Sequence, residues 1–100
     1  MARAVGTTYV AECFWSGVRE DDLRDLDRRI EATVAELAAQ GEPIEYVGSM
    51  LIVDDEVVLC LFEGPIATVR HVTERAGLPF ERILQSTRVP WSRTPRHDAE

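Results

Sequence analysis

Strict alternation marks the first element. In TTYVAECFW, residues 7–15, β-branched and aromatic residues favour a strand. Period-two alternation puts Tyr9, Ala11, Cys13 and Trp15 on one face and Thr8, Val10, Glu12 and Phe14 on the other. Large apolar groups on both faces predict a central strand, covered on both sides. Ser16 and Gly17 end it. The period then changes. Leu23, Leu26, Ile30, Val34 and Leu37 fall within about a third of a helical circumference, which predicts an amphipathic helix with one buried stripe. Glu20, Asp21 and Asp22 suit the positive end of its dipole. Gly41 is a natural stop and Pro43 prevents continuation. The charged face, with Asp25, Arg28, Arg29 and Glu36, reads as solvated surface.

The second half repeats the theme. IEYVGSMLIV, residues 44–53, reads as a strand in which Gly48 marks a bulge or a close-packing point. An acidic turn, DDE, leads into VVLCLFE, residues 57–63, and the two strands form a hairpin. In the later strand Val57, Leu59, Leu61 and Glu63 point one way, and Val58, Cys60 and Phe62 the other. Pro65 opens a second helix, Gly77 closes it, and Ile66, Val69, Val72, Thr73 and Ala76 make its buried stripe. ERILQSTRV, residues 81–89, is the last strand. The polar segment 92–100 and the first six residues are expected to be flexible tails, leaving one domain over 7–89.

The order βαββαβ, as two split β-α-β units with right-handed crossovers, predicts an α+β ferredoxin-like sandwich. One antiparallel sheet carries both helices on one face, and the first and third strands are its central pair. The other face is then uncovered and apolar. A sheet-to-sheet homodimer would bury it, and a ligand pocket would be another use for it.

Composition narrows the function classes. With 100 residues the chain holds one core, and 45% hydrophobic with 29% charged residues is ordinary for a soluble domain. No apolar run approaches the ~20 residues of a membrane helix, and the start lacks the apolar region of a secretory signal. A net charge of −7 argues against binding a phosphate backbone. Cys13 and Cys60 are too few for a disulfide framework, which points to the cytoplasm and reduced thiols.

Chemistry-bearing residues are sparse. Cys60 has the soft sulfur that suits nickel, zinc or copper, and a thiolate is also a nucleophile. A structural cysteine needs only space, and free cysteines are among the most buried residues. His71 lies about 150° from the centre of the second helix's stripe, so it faces solvent and away from Cys60. That places Cys60, His71 and Glu12 as metal candidates that do not form one site within a subunit. Glu12 and Glu63 each interrupt an apolar strand face and need the sheet's edge, a partner or a shifted pKa. Arginines such as Arg82 or Arg88 are candidate partners. The two glutamates lie toward opposite ends of the central pair, which disfavours a catalytic dyad. Tyr9, Glu12, Cys60 and Glu63 are the ligand-binding candidates. No CxxC, glycine-rich phosphate loop, HExxH or aromatic RNA-binding pattern is present.

The pieces YVAE, the Ser49 region before the acidic turn, CLFEGP and H--ERAGLP--RI carry a resemblance. Over roughly residues 8–89 the chain resembles a family of small bacterial proteins long classed as a domain of unknown function, one branch of which is described as nickel-binding. Glu12, Cys60, Glu63, His71, Gly77 and Pro79 match its pattern. Cys13 stands where a basic residue is expected in many relatives, and Gly64 where alanine is more usual. The resemblance implies a ferredoxin-like fold that dimerises through its sheets, and a divalent transition metal such as nickel. The expected function is therefore a small ligand- or metal-binding homodimer. The alternatives are an enzyme of the dimeric α/β-barrel type, with Glu12 as base and Tyr9 or Cys60 assisting, and a purely structural dimerisation module.

Overall fold

In the computed structural model, which describes residues 7–87, six elements follow in the expected order. They are β1 (Thr7–Phe14), α1 (Glu20–Ala39), β2 (Glu45–Ile52), β3 (Val57–Glu63), α2 (Ile66–Arg75) and β4 (Phe80–Thr87). The antiparallel sheet has the order β2-β3-β1-β4, so β1 and β3 are the central pair. This is the ferredoxin-like α+β sandwich. The last strand starts one residue earlier than alternation predicts. The expected end of the domain at 88–89, Arg88 and both tails lie outside the described residues.

Both helices bury the face of the sheet that carries Ala11, Cys13, Val58, Cys60 and Phe62. Leu26, Ile30 and Leu37 of α1 and Val69 and Val72 of α2 are fully buried against it. Two threonines join these stripes. Thr33 satisfies its hydroxyl on the Arg29 carbonyl at 2.9 Å, and Thr68 takes the inward place expected of Ile66. Ile66 lies about 90° from the stripe's centre, so it stays partly exposed.

The helices end as their residues dictate. Asp22 accepts the Arg19 N–H at 2.9 Å, satisfying a backbone donor at the start of α1. Gly41 and Gly77 follow the C-caps of the two helices with φ of +85° and +74°. Part of the charged face of α1 is not simply solvated. Arg29 Nε donates to the Ala76 carbonyl at 3.2 Å, and Arg75 pairs with Glu36 at 3.1 Å, so these side chains tie α1 to α2. The hairpin turn is fastened too. Glu56 accepts from Trp15 N–H through its carbonyl and from Gly17 N–H through its carboxylate, both at 3.0 Å.

Gly64 joins β3 to α2 at φ +152°, and a Cβ there would sit 2.9 Å from Ile44 Cγ1. Strain and a forced shift of Ile44 act together. Gly64→Ala is therefore expected to lower stability by about 1–3 kcal/mol in urea unfolding. A variant as stable as the wild type would show that this close approach relaxes freely.

Candidate functional site

The register of the central strands separates the candidate residues. β1 pairs with β3 as Tyr9↔Phe62, Ala11↔Cys60 and Glu12↔Leu59. Tyr9, Cys13 and Cys60 thus share the helix-covered face, while Glu12 and Glu63 share the uncovered one. An enzyme that used Glu12 as base with Tyr9 or Cys60 assisting needs them on one side. The alternation of the strands puts them on opposite sides, so that assembly is not formed within a subunit.

On the uncovered face Glu12 lies between Leu59 and Arg82. Arg82 Nε donates to its carboxylate at 2.6 Å, the arginine partner expected of a carboxylate in this setting. The Glu12 side chain is 16% exposed and that of Arg82 63%, so the arginine reaches in from the edge strand over a recessed acid. The bond and the charge of Glu12 raise the pKa of Arg82 further. Glu63 stands at the far end of β3 beside Glu45, well away from Glu12. His71 Nδ1 lies 3.2 Å from Glu42 Oε1, and both side chains are about two-fifths exposed. It faces away from the sheet, as its helical position predicts.

Beneath α1 the structure assembles a polar cluster that the strand and helix patterns did not single out. Asp27 accepts hydrogen bonds from the Tyr46 hydroxyl and from Ser49 Oγ, the latter at 3.0 and 3.2 Å to its two oxygens. Tyr46 also packs on Phe62 with ring centroids 5.1 Å apart. Ser49 stands opposite Cys60 in the register of β2 and β3. The cluster around half-buried Asp27 thus lies under the same helix-covered layer as two fully buried thiols, Cys13 and Cys60. Asp27 lies about 60° from the centre of the α1 stripe, a signal that marks it as nearer the core than Asp25 or Arg28. Tyr46 and Ser49 are three residues apart, which strict alternation puts on opposite faces. They share a face because β2 bulges: Tyr46 pairs with Phe62 and Gly48 with Leu61, leaving Val47 as the extra residue.

The cluster shifts its members. Burial pushes the Tyr46 pKa well above 10.0, aided by its bond to Asp27, whose charge opposes a phenolate. The Cys60 thiol is pushed up by its hydrogen bond to Cys13 and by burial, while Cys13 is lowered by the same bond.

Cys60, His71 and Glu12 are dispersed over the helix-covered face, the α2 surface and the open face. Among the described residues no group of three or more His, Cys, Asp or Glu side chains is placed to hold a metal ion. One subunit's described donors therefore do not fit a nickel ion, which prefers a larger set. No described helix is long and apolar enough to cross a membrane.

This architecture defines a small α+β protein of the ferredoxin-like class, with its chemistry divided between two faces of one sheet. The crystal structure of SCO4226 from Streptomyces coelicolor A3(2) has the same fold, with a TM-score of 0.65 and 23% identity over 85% of this chain and 98% of that one. The family described as nickel responsive protein SCO4226-like matches residues 11–85, and the chain belongs to that family. No curated protein matches it.

The folded state holds Tyr46 neutral, whereas the unfolded chain ionises it near 10.0. This contribution to stability is complete below that pH and drains away as pH rises past it. In a Tyr9→Phe background, phenolate absorbance is expected to appear only as the circular dichroism of the fold is lost. Phenolate forming in the intact fold at its ordinary pH would mean that Tyr46 is not held by Asp27. Asp27→Ala, which strands the buried hydroxyl, is expected to cost about 1–3 kcal/mol.

Proposed function

We propose that the protein is a small cytoplasmic nickel-responsive binding protein that acts as a sheet-to-sheet homodimer. The observation that carries the dimer is the uncovered face. Val10, Leu59, Leu61 and Leu84 lie along it, and Phe14 and Met50 are 56% and 52% exposed. An apolar sheet face of this extent is stable in water when a partner covers it. A second copy offers the same surface, as an isologous dimer requires. Pairing with Arg82 compensates Glu12 in that face, which makes covering it less costly.

Nickel is supported by the family's description. Because one subunit's described donors do not complete a set, an ion bound by them would be shared between copies. His71 beside Glu42 is the best-placed imidazole, being accessible and next to a carboxylate. The cytoplasm suits two cysteines that remain free and buried.

Sedimentation at micromolar concentration is expected to show a dimer. Phe14→Asp, which places a charge on the exposed face without touching the core, is expected to weaken it by about tenfold or more. A wild-type monomer would sink the dimer. Nickel titrated into the protein by calorimetry is expected to give heat at less than one ion per chain, reduced by His71→Ala. A dimer that gives no heat with nickel leaves a structural dimerisation module in place of a metal binder.

A further inference from the structure

His71 and the open face of the sheet lie on opposite sides of the molecule. The helices cover one face of the sheet, and His71 stands on the side of α2 turned away from it, with 42% of its side chain exposed. Its Nδ1 lies 3.2 Å from Glu42 Oε1. A carboxylate accepts hydrogen bonds, so Nδ1 carries the proton and Nε2 is left as the ligand atom. Glu42 is held in place in turn, its N–H donating to the Leu37 carbonyl at 2.8 Å just past α1. Glu74 follows His71 by one helical turn and is exposed.

We infer that a nickel ion links one dimer to the next through their helix layers, with His71 of each contributing a ligand. This rests on the dimer and nickel readings proposed above. In a sheet-to-sheet dimer the two helix layers are outermost. The two copies of His71 are then separated by both sheets, which by themselves stand ~10 Å apart. Two ligand atoms of one first-row ion, each ~2.1 Å from it, lie within ~4 Å of each other. No ion therefore spans the two His71 side chains of one dimer. Nor does one chain complete a site, since no three His, Cys, Asp or Glu side chains gather among the described residues. The site is incomplete without a second dimer. Two helix layers brought together supply two imidazoles with neighbouring carboxylates, the nitrogen and oxygen donors that nickel takes. Charge acts in the same direction. Each chain carries a net −7, so metal-free dimers repel, and a divalent cation between them offsets part of that repulsion. The helix layers offer little apolar contact of their own. Among the described residues Phe14, Val47, Met50, Ile52 and Val53 are the exposed large apolar groups of the strands and their turn, and only Ile66 belongs to a helix. Each dimer presents one such site on each of its two outer faces, so linking continues into chains of dimers.

The test is sedimentation velocity with nickel added stepwise, beside calorimetry of the same samples. It uses untagged full-length protein in a His97→Ala background, so that the second histidine contributes no ligand. The dimer is expected to give way to tetramers and larger species, saturating near roughly one ion for every two chains, the ratio of a site shared across a twofold. A chelator such as EDTA should return it to the dimer. His71→Ala should stay a dimer at every nickel concentration. Glu42→Gln should need about tenfold more nickel or beyond for the same assembly. Phe14→Asp, which weakens the sheet contact, should stop at pairs of chains when nickel is added to its monomer. Nickel heat from a dimer that never grows overturns this inference alone and places the ion within one dimer. Growth that persists equally in His71→Ala overturns it as well. No nickel heat at all removes the nickel reading and this inference with it.

Discussion

Val47 is the residue in β2 that β3 does not match. Tyr46 pairs with Phe62 and Gly48 with Leu61, so one residue of the edge strand is passed over and its alternation changes phase. Gly48, at φ +144°, takes a backbone conformation that other residues rarely adopt, and it makes the slip inexpensive. The consequence reaches across the core. Tyr46 and Ser49 both turn under α1, where they meet Asp27. Without the bulge, one of the two would face outward. Asp27 would then hold a single partner at a half-buried position.

The sheet thus separates two kinds of chemistry. Its helix-covered face carries a cluster of groups that share hydrogen bonds in a setting that disfavours extra charge. That setting holds Tyr46 and Cys60 in their neutral forms. Its open face carries apolar residues, the ion pair of Glu12 with Arg82 and, at the far end of β3, Glu63 beside Glu45. Buried thiols and a recessed carboxylate are both familiar parts of active sites. Here they lie on opposite sides of one layer, and no single substrate held on one side of the sheet touches both.

Much of the fold was legible along the chain because burial and period are tightly linked. Leu26, Ile30 and Leu37 recur at helical spacing and are buried, and the alternation of VVLCLFE divides β3 into its two observed faces. The polar partners were harder to read. Glu12 and Arg82 are 70 residues apart, and only the register of β1 against β4 makes them neighbours. His71 was placed correctly by its angle on α2, whereas its contact with Glu42 depends on how the chain leaves α1.

Local sequence determined the elements, their order and which residues alternate, since each follows from the period of apolar positions and from glycines and prolines at the boundaries. It also determined that Cys13 and Glu12 point to opposite faces, because adjacent residues in a strand must. Tertiary structure alone decided which face the helices cover, and therefore that the cysteines are buried and Glu12 is not. It decided as well that Asp27, Tyr46 and Ser49 act as one cluster. That outcome rests on a phase slip in one edge strand and on α1 packing over it, and neither is encoded in the spacing of any single segment.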